Sequence, residues 1–378
     1  MTPELSTQSL VTQCMKEINE KIRSLKHLNI IVAGKTGVGK STLINYIFRE
    51  HLAETGLGRP ITEHLQLIEK KDFPLSIYDT RGLELGKQTQ SEIKKEVHDR
   101  ILYGIKSSDE NQVIHCIWYC INTASDRIED DEVAWIRELT EEDGGTVPVI
   151  IVLTKAFSKK RAASFRSFIM NMNLRVCAVV PVLAKDYEID EDYVVKAYGA
   201  DNLIQVMGQI LPDTLIPTLH NVQLSAIREK VKYARGIVTA TATSAFGEGF
   251  IPVPFADAAM LVPTQISMIA AITAAFGIKV DRAVLSTVIT SALGTTGATV
   301  IGRAVSSGIL KMIPGIGSVV GGSISGATAA IITSALGETY IMVLEMMARG
   351  EMTEGDLSSQ KVRSLISETF RSRLKGGK

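Results

Sequence analysis

Cysteine is scarce, with four in 378 residues, and Cys14, Cys116, Cys120 and Cys177 have neither the spacing of a zinc site nor the density of a disulfide scaffold. That argues against a small secreted, disulfide-stapled protein and suits a reducing, cytoplasmic compartment. Cys116 and Cys120, four apart in an apolar run, belong on one face of a buried strand. None of the six histidines pairs with a cysteine or carboxylate in metal-ligand spacing. An excess of either charge is also lacking: Lys plus Arg and Asp plus Glu are both 41, so no bulk field points to nucleic acid or an acidic partner. The N-terminus lacks a basic, apolar, small-residue leader, so secretion is not expected. What remains is a chain long enough for two or three domains, each with its own core.

The strongest positive signal is GKTGVGKS, Gly34 to Ser41, directly after the apolar run Leu28 to Ala33. It fits G-x-x-x-x-G-K-[ST], a phosphate-binding loop between a strand and a helix. Gly34, Lys35, Thr36, Gly37, Val38 and Gly39 supply inward-pointing amides, which form an anion nest completed by the next helix start. Lys40 brings a fixed charge to the β- and γ-phosphates, and the Ser41 hydroxyl, followed by Thr42, is placed to ligand Mg2+.

Apolar, β-rich runs at Leu28 to Ala33, Leu65 to Glu69, Leu75 to Tyr78, Val113 to Ile121, Val147 to Leu153 and Val176 to Pro181 alternate mostly with helical or loop segments. They predict a mainly parallel sheet flanked by helices, an α/β fold. Lys70 to Pro74 is too short for a helical crossover, so the second and third runs should pair antiparallel. Asp79-Thr80-Arg81-Gly82 closes the third run: Asp79 would hold magnesium through water, and the Gly82 amide would sense the γ-phosphate. In Gly58-Arg-Pro-Ile-Thr62, Thr62 would complete the magnesium shell from a mobile loop.

The order of the phosphate loop, P-I-T, D-T-R-G and then Thr154-Lys155 resembles the Era-like branch of the translation-factor-related GTPases, over about Asn29 to Leu211. The resemblance implies a P-loop GTPase fold, GTP or GDP as ligand and Mg2+ as cofactor. It implies that Thr154 and Lys155 begin the [NT]-K-x-D base motif, and that Ala184 and Lys185 follow the S-A-K motif, whose backbone meets the guanine oxygen. Two positions depart from the pattern. Phe157 stands where the guanine-reading Asp is expected, and Leu83 stands where Ras-like proteins carry the glutamine that positions water. Arg59 and Arg81 are candidates to stabilise transition-state charge, and slow turnover is expected. An ATP-using enzyme and a nucleotide-bound scaffold that hydrolyses nothing stay open beside a GTP switch.

Residues 1–27 read as an amphipathic helix carrying Leu10, Val11, Cys14, Met15, Ile18, Ile22 and Leu25, and residues 28–211 as the nucleotide domain. Residues 212–348 then read as an all-α, Ala/Gly-rich domain, and residues 349–378 as a polar tail. Between Gly236 and Gly350 only ten residues are charged, and Ala283–Gly302 and Met312–Gly337 carry no charge at all. Each stretch is long enough to span a bilayer, and Gly317, Gly321, Gly322, Gly326 and Ala330 allow close helix contact. The weak apolarity of the first stretch equally suits a soluble bundle. This half resembles an uncharacterised helical domain found behind bacterial Era-like GTPase domains, some of them membrane proteins, and more distantly the helical part of immunity-related GTPases. The expected partners are a guanine nucleotide, membrane lipid (the bacterial inner membrane) and a second copy of the chain.

Overall fold

The computed structural model describes residues 7–48, 58–81, 83, 87–141, 147–248, 257–293 and 326–376. The chain divides into two compact units, Leu25–Glu229 and Met1–Ser24 with Lys230–Lys378.

The first unit is a seven-stranded sheet of β1 (Leu28–Ala33), β2 (Gly58–Pro60), β3 (Leu65–Glu69), β4 (Leu75–Thr80), β5 (Cys116–Asn122), β6 (Val149–Thr154) and β7 (Ala178–Pro181), in the order β2-β3-β4-β1-β5-β6-β7. The pairs from β4 through β7 are parallel. β3 runs antiparallel to β4, as the short connection requires, and β2 antiparallel to β3. β1, β4 and β6 are buried along their whole length, which is why they read as continuous apolar runs instead of alternating ones.

Alternation nevertheless decides which core each side chain joins. Leu28, Ile30, Val32, Cys116, Trp118 and Cys120 face one layer, where α2 (Lys40–Ile47), α6 (Ala200–Ile210) and α7 (Ile216–Val222) pack. Ile31, Ala33, Ile117, Tyr119 and Ile121 face the other, against α3 (Lys87–Lys106), α4 (Asp130–Glu141) and α5 (Lys159–Met170). The unit runs past Leu211 because Leu215, Leu219, Val222 and Ala226 belong to the first of these cores. A two-stranded hairpin, β8 (Tyr187–Asp190) with β9 (Tyr193–Val195), lies outside the main sheet.

The second unit is helical among its described residues. α1 (Thr7–Arg23) buries Leu10, Val11, Cys14 and Ile18, the stripe its periodicity announces. α8 (Ile227–Glu248), α9 (Asp257–Phe276), α10 (Arg282–Leu293), α11 (Gly326–Ala348) and α12 (Gln360–Leu374) complete it. Buried Thr273 and Tyr340 hydroxyls bond at 2.6 Å, Gln265 Nε2 donates to Thr333 Oγ1 at 3.2 Å, and buried Lys230 donates to the carbonyl of Phe276 at 2.6 Å, capping the end of α9. A Cβ at Gly337 would meet Val238 Cγ2 at 2.5 Å, so α11 approaches α8 on a glycine. Gly317, Gly321 and Gly322 lie outside the described residues. The polar tail forms α12, whose Ile366, Phe370 and Leu374 are buried. Among the described residues one helix, Ala327–Ala348, is long and apolar enough to cross a membrane, and 61% of its most apolar window is buried inside the protein.

Candidate nucleotide site

The sequence-selected residues gather along the carboxyl ends of the parallel strands, the edge where open α/β sheets bind ligands. β1 leads into the loop Gly34–Gly39, which α2 follows from Lys40. Gly34 has φ 141°, and a Cβ there would stand 2.5 Å from the Cys120 carbonyl oxygen, so only glycine lets this turn pass the end of β5. Gly37 and Gly39 also have positive φ, 75° and 107°. Gly39 caps α2 without any side-chain bond, which leaves the first-turn amides facing an incoming anion. Val38 is buried beneath the loop, while Thr36, Gly37, Ser41 and Thr42 are exposed along its rim.

Lys40 is buried, and its ammonium donates to the carbonyls of Gly34 (2.8 Å) and Lys35 (3.3 Å). It thus bridges the loop it is expected to serve. The same ammonium lies 3.8 Å from Asp79 Oδ1 at the end of β4. That oxygen is buried and accepts no hydrogen bond among the described residues. Burial pushes the Asp79 carboxyl up to about 6, against the downward pull of Lys40 and Arg81. An orphaned carboxylate oxygen held beside a phosphate loop is suited to a hard divalent cation or its water shell, and exposed Ser41, next to Lys40 in α2, offers a hydroxyl. The donor set therefore fits Mg2+.

Other elements reach the loop from β6 and β7. Thr154 Oγ1 donates to the Val38 carbonyl at 2.6 Å and lies 3.1 Å from that of Ile121, tying β6 to the loop. Lys155 follows in a left-handed conformation, φ 51°, with its stem 3.8 Å from where a Gly39 Cβ would stand. Ala156 N donates to Val182 O at 3.4 Å, bringing the Thr154–Phe157 segment to the one carrying half-buried Ala184 and exposed Lys185.

The remaining residues are less closely gathered. Thr62 is exposed, its hydroxyl bonded to the Glu96 carboxylate of α3 while accepting from Leu65 N at 3.1 Å. In this arrangement its hydroxyl serves α3. Exposed Arg81 is held through its backbone to His64 O at 2.9 Å. Gly82 and the Arg59 side chain lie outside the described residues. Leu83 is buried in the core on the α3 side, so its side chain supports packing.

Two carboxylates escaped the sequence reading. The Lys35 ammonium pairs with Glu129 at 2.7 Å and Glu132 at 3.5 Å. It is thereby drawn toward α4, leaving the backbone of Lys35 as its contribution to the nest. Glu132 also accepts from Glu129 N at 3.1 Å, as a residue near a helix start reaching back to cap it. That three-residue spacing is a readable sign of a cap, whereas nothing local in the sequence announces the partner Lys35.

Residues 29–155 match the family described as 50S ribosome-binding GTPase. The chain is 24% identical over 199 residues to Septin-12 of Homo sapiens, across 45% of this chain and 54% of that protein. It is likewise 24% identical over 215 residues to Cell division control protein 10 of Saccharomyces cerevisiae, across 48% of this chain and 66% of that protein. The chain thus spans about half to two thirds of the length of these curated relatives. Among solved structures, Cdc11 from Saccharomyces cerevisiae aligns with 18% identity over 44% of this chain and 68% of that one, at a TM-score of 0.25. Residues 29–155 thus match a P-loop GTPase domain, and the chain has distant similarity to septins.

Proposed function

We propose that this protein is a slow, Mg2+-dependent GTPase that works as a molecular switch, its nucleotide state changing how the helical unit engages a membrane or protein partner. The observation that carries the reading is Asp79: a buried carboxylate with one oxygen that accepts no hydrogen bond among the described residues, 3.8 Å from the ammonium that braces the phosphate loop. A bound Mg2+ would neutralise that carboxylate and the phosphate oxygens together, with Ser41 and Asp79 as its protein-side holders and Thr62 joining if its loop leaves Glu96. Lys40 would exchange the Gly34 and Lys35 carbonyls for phosphate oxygens.

Slow turnover follows from Leu83, which is in the core and cannot orient water. Arg81, or a group supplied by a second copy of the chain, would stabilise the transition-state charge. The order of the motifs supports placement in the Era-like branch. The charge-poor helical unit supports a cytoplasmic protein that visits a membrane surface, the bacterial inner membrane in the organisms its resemblance suggests. Single-turnover hydrolysis tests the reading: GTP with Mg2+ should give GDP and phosphate at a slow, measurable rate. EDTA or Ser41→Ala should reduce that rate at least tenfold. Hydrolysis indifferent to both would refute the metal-dependent mechanism, and GTP bound without turnover would make the protein a scaffold.

A further inference from the structure

The base-facing end of the site carries an aromatic surface where a guanine-specific protein places a carboxylate. Phe157, half-buried, packs its ring against Tyr187, with centroids 4.1 Å apart and planes tilted by 35°. Tyr187 opens the β8–β9 hairpin directly after Ala184-Lys185-Asp186 and is 41% exposed. Thr154 and Lys155 lie against the phosphate loop at Gly39, and Phe157 follows two residues on, at the carboxyl end of β6 where open α/β sheets bind ligands. The Tyr198 hydroxyl donates to the Ala156 carbonyl at 2.8 Å and pins this segment in place.

Asp186, the acid next to Tyr187 in the chain, is engaged elsewhere. Asp186 Oδ2 accepts from Lys196 at 2.8 Å and Oδ1 from Ala197 N at 2.8 Å, so both oxygens are turned into the hairpin.

We propose that this end binds purine bases as a class, stacking them on the Phe157–Tyr187 surface without reading the guanine 2-amino group. The inference rests on the phosphate-site reading above. A carboxylate distinguishes guanine by accepting from N1–H and the 2-amino group, and it repels the N1 lone pair of adenine. An aromatic face does neither, because every purine offers a π-surface. Sites that hydrogen-bond the distinguishing group reject its analogue by about 10⁴-fold or more, whereas apolar contacts discriminate by about 10- to 200-fold.

The test is equilibrium binding of the full chain with Mg2+ to GTP, ITP, ATP, CTP and inorganic tripolyphosphate. GTP and ITP should bind within about threefold of each other, ATP within about tenfold of GTP, and CTP more weakly, as stacking strength dictates. Phe157→Ala and Tyr187→Ala should each weaken all three purine nucleotides together by roughly 5- to 100-fold, the range of one lost stack, and leave tripolyphosphate unchanged. Phe157→Asp should open the GTP-to-ITP ratio by about tenfold or more. A wild-type preference for GTP over ITP above about 100-fold would overturn the proposal, since some carboxylate would then be reading the amino group. So would purine affinities untouched in both alanine variants, or an unchanged ratio in Phe157→Asp. Failure of the wild type to bind even tripolyphosphate would refute the phosphate site itself, and this inference with it.

Discussion

Replacing Asp79 by Asn should make the nucleotide-free protein more stable at neutral pH while removing its response to Mg2+. The Asp79 side chain is 9% exposed, and burial raises its pKa from 3.8 to about 6 despite Lys40 and Arg81. A carboxyl raised on folding holds its proton more tightly in the native state than in the unfolded one. Its favourable contribution is therefore complete below the unfolded value near 3.8 and lost as pH rises through about 6. That shift corresponds to about 3 kcal/mol at most, and rearrangement around the site should leave about 1–3 kcal/mol. Asn keeps the shape and carries no charge at any pH, so it removes the pH-dependent part of the penalty. Both tryptophans of the chain, Trp118 and Trp135, lie in the two cores flanking the sheet, and their fluorescence follows this unit alone. Denaturant unfolding with EDTA, at about pH 4.5 and about pH 8, should show the variant gaining about 1–2 kcal/mol on the wild type toward the higher pH, since pH 4.5 already lies above the unfolded value. A difference that stays constant, or grows toward acid, would refute the assignment of Asp79 as a buried carboxylate whose desolvation outweighs Lys40 and Arg81. Added Mg2+ with GTP should stabilise the wild type and leave Asp79→Asn nearly unmoved.

Much of this site was legible because its chemistry is local. Gly34 to Ser41 and Asp79 to Arg81 are short segments whose backbone and side-chain roles follow from a strand ending and a helix beginning. The antiparallel β3–β4 pair followed from a five-residue connection, and the helix-flanked parallel sheet from apolar runs separated by helical segments. Partners brought together by the fold were harder to see. Lys35 finds Glu129 and Glu132 almost a hundred residues away, and Thr62 finds Glu96, pairs that no periodicity encodes. The β8–β9 hairpin was missed because its residues are almost all exposed, giving no apolar alternation to read. β2 escaped for a related reason: three residues ending in proline, Gly58–Pro60, suit a sheet edge and carry no strand signature. The joining of α1 to the C-terminal helices depends on contacts between opposite ends of the chain. Its apolar stripe announced a partner without saying which.

Lys40→Ala should lose the roughly 2.7 kcal/mol of stabilisation that GTP gives at about 100 times its Kd, measured by thermal shift. It should also weaken the nucleotide-free protein at neutral pH, because Asp79 loses its nearest cation. Gly34→Ala should cost at least about 2 kcal/mol in Trp-monitored unfolding, given φ 141° and a Cβ 2.5 Å from the Cys120 oxygen. Wild-type-like stability and nucleotide affinity would contradict the close approach. The helical unit provides the last prediction, that the protein attaches to membranes peripherally. α11 is apolar enough to span a bilayer, yet Glu338 lies near its middle, 3.3 Å from Arg235 and 4.0 Å from Arg373. Insertion would carry that acid into hydrocarbon at a cost of several kcal/mol and would surrender the buried Thr273–Tyr340 and Gln265–Thr333 bonds. Surface attachment keeps both. Fractionation of the full chain with GTP, with GDP and without nucleotide should find a membrane-bound portion that alkaline carbonate releases and whose size follows the nucleotide. Retention through carbonate and release only by detergent would show that α11 or its neighbours span the bilayer. Complete recovery in the supernatant in all three states would mean that the apolar character of this unit serves its core alone.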